Sequence, residues 1–323
     1  MNSANIFQQL EKHSSPGDLS AALDILSEHL RQEKRFAELF EARKMQARHR
    51  VGLPILANRP WASKQDEELN EAKQLELEKQ LFDGCREIGT LQVEEGHIAD
   101  GWVYLEALGD KKYSQSLIES VPVTEENSQE IIDIALGRGA APAFGFKLLI
   151  DEHGTCNAIT TFDSFAMQLP PADQRQLAST LLNHVYQQLH ENIVNHLQES
   201  TGSKNASTST SSIRTLVAGH DEIFADGGHH MDATHIASTV RISRILEDPD
   251  SLNKALEICE YGKRLSKDLQ FPDSPPFENI YVDHEILFRA LLEAETDSAD
   301  KDCLLYTSPS PRDQRGSRMP SSA

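Results

Sequence analysis

The chain lacks any long hydrophobic run. No stretch of its 323 residues approaches the ~20 consecutive apolar residues that a spanning helix needs. Hydrophobic residues make up 38% of the sequence, and mean hydropathy is -0.48. A membrane protein is therefore not expected. The opening stretch MNSANIFQQLEKHSSPGDLS has no basic segment followed by an apolar core, so no secretory signal is expected there. Cysteine is scarce. Cys85, Cys156, Cys259 and Cys303 lie far apart, form no C-x-x-C and show no zinc-type spacing. They read as reduced thiols, which predicts a cytoplasmic location. Without secretion the sequon Asn205-Ala206-Ser207 carries no meaning. Aromatic residues are 6% of the chain, too few and too scattered to stack nucleic-acid bases, and Trp61 and Trp102 read as packing residues. Basic residues are in deficit. The net charge of -20 repels phosphate backbones, so nucleic acid is not an expected partner, and it suits solubility and basic partners. No P-loop is present. Gly137-Arg138-Gly139 and Gly227-Gly228 are too short to cradle phosphate and read as helix breaks.

Helical periodicity is what the chain has in abundance. Ser15-Pro16-Gly17-Asp18 reads as a helix start, and Leu19, Leu23, Leu26 and Leu30 follow at helical spacing. A second helix carries Phe36, Leu39, Phe40 and Met45. Ala21, Ala22, Ala37 and Ala42 are small enough to let the two approach closely. A loop spans Gly52 to Trp61. Ser63-Lys64-Gln65-Asp66 resembles a capping box, predicting a helix to about Glu94 with Leu69, Ala72, Leu75, Leu81, Cys85 and Ile88 on its buried stripe. Another hairpin is predicted around Ala99, Trp102, Leu105 and Leu108, with Gly109-Asp110 as its turn. Helical signals continue over 127–136 and 140–150, and a polar loop is expected at GTCNAITTFDSF. Pro170-Pro171-Ala172-Asp173 then opens a helix of about 27 residues to Ser200, along which Leu177, Leu181, Val185, Leu189 and Ile193 step by four. Asp232, Ser251 and Asp283 are expected to open three further helices. The nearest candidate for a strand is Ala158-Ile159-Thr160-Thr161-Phe162.

The expected fold is all-α, with helical hairpins stacked as a tetratricopeptide-like solenoid or an irregular helical array. The segments GDLSAALDILSEHLRQEKRFAELFEA and GHIADGWVYLEALGD resemble tetratricopeptide-like repeats, although the 34-residue period does not run through the chain without insertions. FADGGHHMDATHIASTVRISRIL, LEICEYGKRL and YVDHEILFRALL are similar to segments of a group of uncharacterised bacterial proteins. That resemblance implies a helical fold and transfers no catalytic residue. The expected organisation is a hairpin region over 1–120, a central helical region over 121–199, a flexible Ser/Thr-rich linker over 200–213 and a C-terminal helical region over 214–302. Residues 303–323, CLLYTSPSPRDQRGSRMPSSA, are rich in Ser, Pro and Arg and lack periodicity. They resemble a translated sequencing-adapter or vector read-through and are read as non-native.

Candidate chemistry centres on one cluster. His220, Asp221, His229, His230, Asp232 and His235 fall within sixteen residues. Imidazole and carboxylate suit first-row metals, and a catalytic zinc needs three protein ligands and one open position. If Asp232 precedes a helix and His235 sits in its first turn, the two can converge with His229 or His230 on a divalent ion. The simpler role for Asp232 is an N-cap, which requires no metal. The doublet His220-Asp221 resembles the centre of HD-type phosphohydrolases, whose remaining ligands would be His184 or His190 and Asp283. His153, Thr155, Cys156 and Asn157 are candidate ligand-loop residues, with Cys156 as a conceivable nucleophile beside a histidine. Two functions follow as expectations: a scaffold that binds a protein partner without a cofactor, and a metal-dependent hydrolase.

Overall fold

The computed structural model describes residues 3–13, 18–56, 70–201, 211–275 and 277–294. The fold is all-α, and the described residues contain no strand. Among them, no helix is long and apolar enough to cross a membrane. The chain divides into two compact units, Met1–Gly145 and Phe146–Ala323.

In the first unit, α1 (Ser3–Lys12), α2 (Leu19–Gln32), α3 (Phe36–Val51), α4 (Glu71–Glu94) and α5 (Ile98–Glu106) each pack on the next in sequence. Helices α6 (Lys111–Glu119) and α7 (Ser128–Ile132) follow, and α7 runs into a π-helical turn, Asp133–Gly137. Leu30, Phe36, Leu39, Phe40, Ala42, Cys85 and Ile88 form one core between α2, α3 and α4. An ion pair ties α3 to α4: Arg43 donates to both oxygens of Glu87, at 2.6 and 2.8 Å. Burial pushes the Glu87 carboxyl up, but the Arg43 and Arg31 guanidinium groups outweigh it and hold the carboxyl below its usual range. Helices α4 and α5 cross where both backbones are bare. A Cβ on Gly101 would lie 2.7 Å from the Gly89 carbonyl oxygen, and one on Gly89 would lie 2.7 Å from Leu105 Cγ.

Several expectations are corrected here. Ser15, Pro16 and Gly17 lie outside the described residues. Asp18 makes no side-chain cap and its carboxylate instead meets His13 Nδ1 at 3.2 Å. The Ser63–Asp66 stretch and Leu69 also lie outside them. Helix α4 starts at Glu71, because Asn70 accepts from the Lys73 amide at 3.0 Å. The expected buried stripe holds only in its later half. Cys85 and Ile88 are buried, whereas Leu75 is 60% exposed. Periodicity marks a face, but it does not say how far the neighbouring helix extends.

Helix α8 (Pro142–Phe165) spans the division between the units. It contains GTCNAITTFDSF, expected as a loop, and 158–162, the candidate strand; both are helical. The chain kinks at Gly154, with φ 79°, a conformation glycine adopts without the cost of a Cβ. Buried Phe146, Ile150, Ala158 and Phe162 lie at four-residue steps whose missing member is residue 154. The hydroxyls that suggested a loop serve the helix: Thr160 donates to the Cys156 carbonyl and Ser164 to the Thr160 carbonyl.

Helix α9 (Pro171–Thr201) is the spine of the second unit, and α10 (Ile213–Val217), α11 (Ala233–Ser243) and α12 (Pro249–Gly262) all pack on it. Helix α13 (Ile280–Ala294) lies on α11 and α12. Leu177, Leu181, Val185, Leu189 and Ile193 are fully buried. Each such burial contributes roughly 1.5–3 kcal/mol. Helices on both sides of the Ser/Thr-rich stretch thus belong to one unit, and residues 202–210 of that stretch, like 303–323, lie outside the described residues. Asp232 caps α11 as expected, accepting from the Thr234 amide at 2.8 Å. The start expected at Ser251 is moved to Pro249, because Asp248 is the cap and accepts from the Ser251 amide. The last helix starts at Ile280 rather than Asp283. Asn279 accepts from the Tyr281 and Val282 amides, and Asp283 lies in the first turn.

Candidate functional site

Asp232 uses one carboxylate oxygen for both the amide and the hydroxyl of Thr234. Those bonds hold its carboxyl below the usual range, and they turn it to the helix end rather than to an ion. His229 donates from Nδ1 to the Gly227 carbonyl at 3.1 Å on the exposed side of the turn. His230, its neighbour, points inward. Its backbone N–H donates to Tyr261 Oη at 3.0 Å, its Nδ1 lies 2.8 Å from the same oxygen, and its Nε2 lies 2.8 Å from His196 Nδ1. One proton assignment satisfies every atom: Tyr261 accepts from the backbone and donates to Nδ1, and His230 Nε2–H donates to His196. Asn192 on α9 holds the His230 carbonyl at 2.7 Å. Phe224 closes one side against both rings, and the Arg264 guanidinium lies 4.4 Å from the Phe224 centroid. Burial, and then the charges of His196 and His229, lower the His230 pKa to about 4. Burial pushes the Tyr261 hydroxyl up to about 12. Neutral forms of both are therefore present at neutral pH.

The proposed metal quartet is not brought together. His229, His230 and Asp232 each have separate partners, and His235 uses its carbonyl to accept from the Thr239 hydroxyl. Among the described residues, no group of three or more His, Cys, Asp or Glu side chains is placed to hold a metal ion. The residues of the HD-like reading are also dispersed. His220 meets Glu222 at 2.7 Å, Asp221 pairs with Arg264, His184 meets the Thr155 hydroxyl, His190 donates to the Ser211 carbonyl, and Asp283 accepts from the Glu278 and Asn279 amides. The candidate ligand loop is the helix just described. His153, Cys156 and Asn157 are exposed on it, Thr155 is buried against His184, and Asn157 donates to the His153 carbonyl. Burial lowers the His184 pKa against the opposing charge of Asp151.

The largest hollow lies elsewhere, along α9. A groove of about 1060 Å³ is lined by Asn183, Tyr186, Gln187, His190, Glu191 and Asn195 of that helix, together with Ser211, Ser212 and Lys254. A second hollow, about 560 Å³, shares Asn183, Gln187 and Glu191 and adds Lys147, Asp151 and His184. Asn183, Gln187 and Glu191 are four residues apart, so they form a polar ridge between the two. The floor is held by hydrogen bonds. Tyr186 donates to Glu257 at 2.7 Å, and Lys254 donates to the Asn183 side-chain oxygen at 2.6 Å. Burial, reinforced by Glu257, pushes the Tyr186 hydroxyl far above its ordinary value, so it stays a donor. Sequence reasoning missed this groove because α9 was read for its buried stripe, and amides on the opposite face are what any solvated helix shows. It also missed His196 and Tyr261. They lie 34 and 31 residues from His230 along the chain, and only their residue types were visible. Comparison with known protein families, characterised proteins and solved structures finds no match for this chain.

Proposed function

We propose that the chain is an interaction protein of helical-repeat type, and that its second unit takes an extended basic segment of a partner protein along α9. The observation that carries this reading is the amide-lined groove. An extended peptide presents donors and acceptors alternately, and a carboxamide offers both at one side chain. Asn183, Gln187 and Asn195 on one helix can therefore pair with main chain without regard to sequence. Glu191 in the groove and the net charge of -20 favour Lys and Arg in the bound segment. Reduced thiols at widely spaced positions fit a cytoplasmic protein, which belongs to the same reading. The hairpin order of the first unit, each helix on its successor, supports the repeat-type scaffold.

Panning a random displayed peptide library on the full chain tests it. The expected outcome is enrichment of Lys- and Arg-containing peptides that crosslink to a photoreactive residue placed at Gln187. Enrichment of no peptide class, or crosslinking only to a probe placed on α4, would contradict the reading.

A further inference from the structure

We propose that His196 and His230 form an open two-histidine site for a divalent first-row transition metal ion such as zinc, which takes the place of the proton between them. His196 Nδ1 and His230 Nε2 face one another at 2.8 Å. Two nitrogens at ~2.0–2.1 Å from a tetrahedral ion stand roughly 3.3–3.4 Å apart, so a separation of about half an ångström converts the hydrogen bond into a ligand pair. His196 is only partly buried, on the last turns of α9, and leaves an approach from solvent. His230 is already oriented as a ligand should be. Its other ring nitrogen is held by Tyr261 Oη at 2.8 Å, its backbone by the same oxygen and by Asn192, and its ring by Phe224. Such outer partners fix the ring and its tautomer at metal sites.

The proton count closes. Each neutral imidazole keeps one proton. With the ion bound, His230 carries its proton on Nδ1 and donates it to Tyr261, and His196 carries its own on Nε2. Binding therefore shifts one tautomer and releases no ring proton. Two protein nitrogens leave the remaining positions to water, which makes the site exchangeable rather than a closed structural one. This site differs from the quartet His229, His230, Asp232 and His235 in all but one member, and it stands independently of the peptide groove.

The experiment is calorimetric titration of the full chain with zinc chloride, comparing wild type with four single variants. One saturable site is expected in wild type. His196→Ala should weaken it at least ~tenfold, and Tyr261→Phe, which removes the outer partner, by ~10-fold or more. His229→Ala and His235→Ala should leave it unchanged. Alanine keeps α9 helical, so His196→Ala is a folding-neutral probe. No saturable zinc binding in wild type would overturn the proposal. So would unchanged binding in His196→Ala, or an equal loss in His235→Ala.

Discussion

At the residue scale the second unit buries a histidine whose titration opposes folding. The His284 side chain is fully buried, stacked on Phe277 at 4.6 Å between centroids and packed near Phe288. Its Nε2 stands 3.7 Å from the buried Asp273 carboxylate, and neither ring nitrogen has a hydrogen-bond partner. Burial lowers its pKa. Asp273, the Ile280 carbonyl and Asp283 push the other way, and Arg244 adds to the lowering. The unfolded chain then binds the proton more readily than the native one. Stability from this residue is present above its ordinary pKa near ~6.5 and is lost as pH falls below that value toward the lowered one. His284→Phe, which fits the aromatic surroundings, should flatten that loss. Urea midpoints at pH 7 and pH 5.5 check it: the gap between them should shrink in the variant, and an unchanged gap would assign the acid sensitivity to other groups. This residue carried no signal in the sequence beyond its place three residues before Leu287 in an apolar helix. The same holds for His196 and Tyr261, whose roles depend on distances that no local pattern encodes.

At the element scale the two glycine types in α4 behave oppositely. A Cβ on Gly84 would meet Arg43 Cβ and the Phe40 ring at 3.5 Å, which is ordinary contact. Gly84→Ala should therefore stabilise the chain, by about 0.5–1 kcal/mol, through helix propensity. Gly101→Ala forces its methyl to 2.7 Å from both the Gly89 carbonyl oxygen and Val93 Cγ2. It should destabilise by roughly 1–3 kcal/mol through overpacking. Thermal melts of the two variants check the pair, and a shared direction would contradict the described crossing of α4 and α5. Existence of these helices was legible, because apolar residues recur at three and four. The five-member stripe of α9 is the strongest case, and every member is buried. What misled was composition without geometry. Thr, Asn and Gly around residue 156 read as loop, yet only Gly154 departs from helical backbone and the hydroxyls bond within the helix. Caps were placed by residue type, and a competing Asp or Asn a few residues upstream took the role at Asp248 and Asn279.

At the scale of the whole molecule, the all-α class was legible and the location of the binding surface was not. A groove arises from what several helices leave uncovered. Here α9, the start of α10 and Lys254 of α12 frame it, and their sequence positions span 183 to 254. The histidine cluster drew attention because its members are close in sequence, yet the structure gives nearly every member its own partner and carries one of them, His230, to a histidine far away on α9. The most direct measurement of the central claim is a fluorescence anisotropy titration of a labelled basic peptide from the panning into the wild-type chain and into the triple variant Asn183→Ala, Gln187→Ala, Asn195→Ala. Alanine retains the helix, so equal melting temperatures are expected for the two proteins. The peptide-groove account predicts saturable binding to wild type, weakened by added salt and reduced at least ~tenfold in the triple variant, since ~1.4 kcal/mol of lost hydrogen bonding corresponds to a factor of ten. Equal affinity for the two chains would contradict it.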